Sequence, residues 1–258
     1  MRLVIALFVS LLVAGSAVAA DIAKGPAVVE GTVTQYQNQY NRADVLVVSI
    51  IQGTFTDQGP TWVGGFGAAD LVYDPMGSYG DLTGYNLMLV DTSDMWWSYS
   101  YAADEAVWAS YHTAGGCVWV VGQDYLYSRG FQTGFPMTVL GMVSATEDLA
   151  ANTTTIEWSG APGGPLDGMA GTTYACFASN GFYTDDVTPA TQYLADWVDE
   201  LGAGGSVGCV SVKAGFSTLE FGCDAQVGAV AQAIYGSCGG VIPTEETSWG
   251  QIKSMYNN

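Results

Sequence analysis

Residues 101–127 read YAADEAVWASYHTAGGCVWVVGQDYLY, and this stretch decides the fold class. Ala102, Ala103, Ala106, Val107, Ala109 and Tyr111 supply helix-forming and apolar positions, with Asp104 and Glu105 in the early turns. Acids there suit the positive end of a helix dipole. Gly115-Gly116 then gives a natural C-terminal stop. CVWVVGQDY (117–125) follows at once as an apolar strand. A strand, a helix and a strand joined this tightly are the βαβ signature of a parallel sheet.

The neighbouring segments fit the same pattern. DVLVVSII (44–51) is a continuous apolar, β-branched run, as expected of a strand buried on both faces. ADLVYD (69–74) and YNLMLVDTSD (85–94) read as a second and third strand. Residues 52–67, rich in Gly, Thr and aromatics, allow only a short or irregular helix, and another short helix is expected around 135–141, interrupted early by Pro136. Residues 143–205 are polar and Gly-rich and read as a long irregular insertion lying over one side of the sheet. VGCVSVKAGFSTLEFGC (207–223) reads as a C-terminal β-hairpin turning at Ala214-Gly215, and QVGAVAQAIYG (226–236) as a closing helix. In the tail, Trp249, Ile252 and Tyr256 share one helical face; a docked helix and a sorting tag both remain open.

The first twenty residues, MRLVIALFVSLLVAGSAVAA, carry one cation at Arg2, an apolar run over 3–14 and a small-residue site at Ala17-Val18-Ala19. That is the layout of a secretory signal peptide, and the apolar run is shorter than the roughly 20 residues a membrane span needs. The expected organisation is a signal peptide (1–20), a polar extension (21–43), one α/β domain (44–240) and a tail (241–258), with no membrane span in the mature chain.

Composition narrows the function classes. Six Lys+Arg face 25 Asp+Glu and one His in 258 residues, a formal charge of −19. Six scattered cations cannot build the basic face that phosphates require, so a nucleic-acid partner is excluded. A hydrophobic content of 49% supplies ample core, which argues against disorder. A single His, His112, leaves no site that needs two. Five cysteines (Cys117, Cys176, Cys209, Cys223 and Cys238) cannot all pair within one chain. A bridge among Cys209, Cys223 and Cys238 fits their spacing along the hairpin and closing helix without fixing connectivity, and Cys117 reads as a buried small hydrophobe.

The run VLVVSI (45–50), LVYD (71–74), LTGYNLMLVDTSD (82–94) and residues 102–127 resembles a family of secreted bacterial domains related to class I glutamine amidotransferases. The resemblance covers roughly 44–236 and is most specific over 101–127, where Ala114-Gly115-Gly116 leads to a strand ending in Gly122-Gln123-Asp124. MVSATEDLAANTTTIEWSGAPGGPL (142–166) looks like the family's segment after that strand. It implies a flavodoxin-like fold: a three-layer α/β sandwich with a mostly parallel central sheet. Amidotransferases of this kind place a nucleophilic Cys in the turn after a core strand, with a His and an acid later in the chain. Here that turn, 120–124, has no Cys; Cys117 opens the strand and His112 precedes it. The resemblance therefore implies a scaffold without its catalytic triad.

In doubly wound sheets ligands bind beyond the carboxyl ends of the strands. Asp91 and Asp94 after the third strand, and Gln123, Asp124 and Tyr125 after the fourth, gather there. Asp91, Asp94 and Asp124 can together take a hard cation such as Ca²⁺, although Asp at strand ends also commonly caps turns and helices. Trp96, Trp97, Tyr99 and Tyr101 crowd one loop, and Tyr125, Tyr127 and Phe131 the next. Such aromatics either seat a protein or carbohydrate partner or simply cover the sheet's end. The leading expectation is a secreted, non-catalytic binding or structural module that contacts its partner through 91–101 and 123–131. The alternative is a carboxylate- or metal-dependent extracellular hydrolase using Asp91, Asp94 or Asp124.

Overall fold

Continuous β-branched and apolar runs form the centre of the molecule. A computed structural model describes residues 44–52, 56–92, 99–122, 125–129, 134–174 and 182–240, with the side chains of 147–152, 182 and 183 left aside. These residues lie within one compact unit, Gly31–Asn258. The expected signal peptide, polar extension and tail fall outside the described residues. Among the described residues, no helix is long and apolar enough to cross a membrane.

The chain begins with β1 (Val45–Ser49), α1 (Gly59–Phe66), β2 (Asp70–Tyr73), β3 (Leu87–Asp91), α2 (Ala102–Thr113), β4 (Cys117–Val121) and the short α3 (Tyr125–Ser128). A single wide turn, Pro136–Leu140, leads into β5 (Met142–Thr153). Then come β6 (Thr155–Gly160), β7 (Ala170–Tyr174), β8 (Phe182–Pro189), β9 (Gln192–Tyr193), β10 (Ala195–Asp199) and β11 (Gly204–Ser206). The chain closes with β12 (Gly208–Ser211), β13 (Ala214–Ser217) and α4 (Val227–Ser237).

Seven strands form a mixed sheet in the order β2-β1-β3-β4-β13-β12-β9. The β2-β1-β3-β4-β13 portion is parallel throughout, and β12 and β9 add antiparallel pairings. β1, β3 and β4 are buried at every position. Their alternate residues feed different clusters. Val45, Val47, Leu87, Leu89 and Trp119 pack with Trp62 of α1 and Ile234 of α4, whereas Leu46, Val48, Met88, Val90 and Val120 pack with Trp108 of α2. A sheet covered this way needs no polar face, which is why its strands read as unbroken apolar runs.

Two expectations are corrected. Residues 143–205 are not irregular: β6, β7, β10 and β11 form a four-stranded antiparallel sheet in the order β11-β10-β6-β7, and β5 pairs with β8. The alternation is plain in the burial of β10, where Ala195, Trp197 and Asp199 are buried and Asp196 and Val198 exposed. The C-terminal turn also falls two residues earlier than expected. β12 and β13 pair on either side of Val212-Lys213, with Lys213 at φ 53°. Gly215 belongs to the strand because it pairs with Trp119, whose indole leaves no room there for a Cβ.

Candidate functional site

The parallel register brings Tyr73, Ser49, Asp91, Val121 and Ser217 into one row at the carboxyl ends of the strands. Asp57, just before α1, gathers this row from above. Its carboxylate accepts the Ser49 hydroxyl at 3.0 Å, the Tyr73 hydroxyl at 2.9 Å and the Gly59 amide at 3.0 Å. Asp74 holds the exit of β1 from the other side, accepting the amides of Ile51 (2.9 Å) and Gln52 (3.0 Å). Burial raises the Asp74 carboxyl above its ordinary value, and the backbone there is left-handed, with φ 39°. Asp57 and Asp74 therefore organise loops at this edge.

α2 does the same through its first turn. Asp104, fully buried, accepts the Gly77 amide (2.9 Å), the Tyr79 hydroxyl (2.7 Å) and the Tyr99 hydroxyl (2.9 Å). Its neighbour Glu105 accepts the Tyr125 hydroxyl at 2.7 Å and pairs with Arg129. Burial raises the Glu105 carboxyl, while Tyr125 and Arg129 pull it the other way. The helix-dipole account of these two acids is incomplete, since each anchors a loop that leaves a strand. Replacing Glu105 by Ala should cost about 2–3 kcal/mol in urea unfolding, because it strands a buried hydroxyl and a largely buried guanidinium. A group whose folded pKa is raised favours the fold most below its unfolded pKa and loses that contribution as pH rises through the folded value. The stability of the native chain relative to Glu105→Gln should therefore improve as pH falls from about 7 to about 4. A difference that does not change with pH would contradict this reading of Glu105.

The residues singled out from sequence separate into two groups. Asp91 is 1% exposed at the end of β3, and Tyr125 is fully buried. Tyr125 meets Tyr101 edge-on at 4.9 Å between centroids, and Tyr99 is tilted on Tyr101 at 4.9 Å. Tyr99, Tyr101 and Tyr125 therefore belong to the core and not to a contact surface. The hydroxyls of Tyr99 and Tyr125 satisfy buried acids, which lets polar-tipped rings pack inside. Tyr127 is exposed. Asp94, Trp96, Trp97, Gln123, Asp124 and Phe131 lie outside the described residues. Among the described residues, no group of three His, Cys, Asp or Glu is arranged to hold a metal ion.

Of the three expected bridge candidates, Cys223 and Cys238 are disulfide-bonded and Cys209 is not. Cys117 is bridged to Cys238, and Cys223 is disulfide-bonded as well. Cys209, expected to be a bridge candidate, is a free buried thiol that lies 3.2 Å from the Leu140 carbonyl. Burial pushes this thiol up to about 12, so almost no thiolate exists at neutral pH. The ring of His112 meets the Val212 carbonyl at 2.9 Å, at the end of the sheet where β4 begins.

A concave surface lies elsewhere, on a stretch that reads as irregular in sequence. An open groove of about 560 Å³ is lined by β6, β7 and β10 of the accessory sheet. Alternation turns Ile156, Trp158 and Trp197 into the core and leaves Glu157, Ser159, Asp196 and Val198 outside. The period-2 pattern of TIEWSG and ADWVD is the signal that marks these strands in the sequence.

No protein-family model matches this sequence, and no curated protein matches it. Among solved structures, the chain is similar to a protein named as a GMP synthase subunit from Thermoplasma acidophilum, at a TM-score of 0.43 and 9% identity over 83% of this chain and 100% of that one. It is also similar to a ThuA-like protein from Parabacteroides merdae (TM-score 0.44, 10% identity, 79% of this chain and 93% of that one). A third is PurLQS from Thermotoga maritima (TM-score 0.40, 11% identity, 74% of this chain and 97% of that one). At such identities and scores the likeness carries no argument about fold or activity.

Proposed function

We propose that the chain is a secreted, non-catalytic amidotransferase-like domain acting as an extracellular binding module. In this reading the parallel sheet and its helices make a three-layer sandwich with a C-terminal hairpin, and the accessory sheet supplies the contact surface. The observation that carries the proposal is the placement of the groove. It is built entirely from the accessory sheet and not from the strand ends, where Asp74, Asp104 and Glu105 hold loops. Cysteine chemistry supports it too, since Cys117 and Cys238 are tied up and Cys209 is buried and protonated.

Peptide-mapped alkylation of the purified protein, first native and then denatured, tests the proposal. The expected result is that Cys209 reacts only after unfolding. A cysteine that reacts rapidly in the native state at neutral pH would mark an activated nucleophile and overturn the non-catalytic reading.

A further inference from the structure

Most carboxylates among the described residues are used internally. Among the described residues, the exceptions are Glu157 and Asp196, which accept no hydrogen bond and form no ion pair. Both lie in the groove of the accessory sheet. β6 and β10 are antiparallel neighbours, with Glu157 opposite Val198 and Asp196 opposite Ser159. The two acids are therefore diagonal neighbours on one exposed face, and no cation is among the residues that line it. Two like charges held side by side without a counter-charge gain nothing for the fold.

We infer that this face is the docking surface for an extended, positively charged segment of another protein, with basic side chains two residues apart. The inference rests on the binding-module reading and names the partner's chemistry. Diagonal positions on antiparallel neighbours lie about 7–8 Å apart. Side chains two residues apart on an extended chain share one face and are separated by about 6.5–7 Å. A Lys-x-Lys strand therefore presents two ammonium groups in register with Glu157 and Asp196. The floor favours close approach of a backbone, because Ser159, Ala170 and Thr172 are short. A second copy of this chain is a poor occupant, since a formal charge of −19 repels itself.

The test uses the full mature chain and two blocked peptides of identical composition, acetyl-Ser-Lys-Thr-Lys-Ser-amide and acetyl-Ser-Lys-Lys-Thr-Ser-amide, followed by amide chemical shifts. The first should move the amides of β6, β7 and β10 and bind about fivefold more tightly than its isomer. The Glu157→Gln/Asp196→Asn variant, altered at two exposed positions, should lose about tenfold in affinity with an unchanged spectrum elsewhere. Equal binding of the isomers, or shifts confined to another surface, overturns the inference. So does movement of the groove amides by calcium chloride or maltotetraose but not by the peptide. That last outcome leaves the binding-module reading standing, whereas rapid native alkylation removes the reading itself.

Discussion

A chain carrying both Cys117→Ala and Cys238→Ala should lose about 3–5 kcal/mol of stability while keeping its fold. Cys117 opens β4 and Cys238 directly follows α4, so the bridge closes a loop of 121 residues that contains the whole accessory sheet. Constraining so long a loop in the unfolded chain is worth about 5 kcal/mol in the chain-entropy account, before any cost of holding native geometry. The fold should survive because α4 has other attachments. Val230, Ala231 and Ile234 are fully buried, Gly65 of α1 packs closely on Ala231, and Gln232 donates to the Gly65 carbonyl at 3.1 Å. Removing both cysteines avoids leaving a thiol to mispair. Cys209→Ala is the control, because it deletes a buried sulfur without opening a loop and should cost about 1 kcal/mol. Denaturant midpoints decide the matter. If the double variant lies within about 1 kcal/mol of the native chain, the bridge is not a principal constraint on the unfolded state.

What the sequence revealed and what it hid have separate physical causes. The parallel sheet was legible because strands buried on both faces leave an unambiguous run, as in VLVVS and CVWVV. The same property hid the bridge. Cys117 is one apolar residue among five, and nothing local marks a partner 121 residues away. In the accessory sheet only half of each strand is apolar, and β6 and β10 are only six and five residues long. Asp199 made matters worse, being a buried acid at a core position of β10. Its carboxylate is satisfied by the amides of Leu201 and Ala203, so it occupies an inward site without looking apolar. The aromatic crowd at the strand ends misled in the opposite direction. Tyr99 and Tyr125 go inside because Asp104 and Glu105 receive their hydroxyls, and that pairing spans separations of 5 and 20 residues.

The second large effect is expected at Asp224, which joins the accessory sheet to the body of the molecule. The residue is 4% exposed, and its carboxylate takes three donors from three elements. The Trp158 indole of β6 and the Thr173 hydroxyl of β7 each donate at 2.8 Å to one oxygen, and the Gln226 amide ahead of α4 donates at 2.6 Å to the other. Trp158 also meets Phe221 edge-on, with centroids 5.1 Å apart, so the indole is fixed from two sides. Asp224→Ala would strand a buried indole N–H and a buried hydroxyl and release the Gln226 amide ahead of α4. Each unsatisfied buried group costs about 1–3 kcal/mol, so a loss of about 3–5 kcal/mol is expected without full additivity. Asp224→Asn keeps the shape and one acceptor oxygen and should lose about half as much. Asp81→Ala removes an exposed bond to the Thr83 amide and should stay within about 1 kcal/mol of the native chain. Near-UV circular dichroism adds a readout that global stability does not give, because a released Trp158 loses its fixed surroundings. Should Asp224→Ala match the native chain in both midpoint and tryptophan signal, the accessory sheet must be held by its apolar contacts alone, since Ile156, Trp158 and Trp197 would then suffice to seat it on the core.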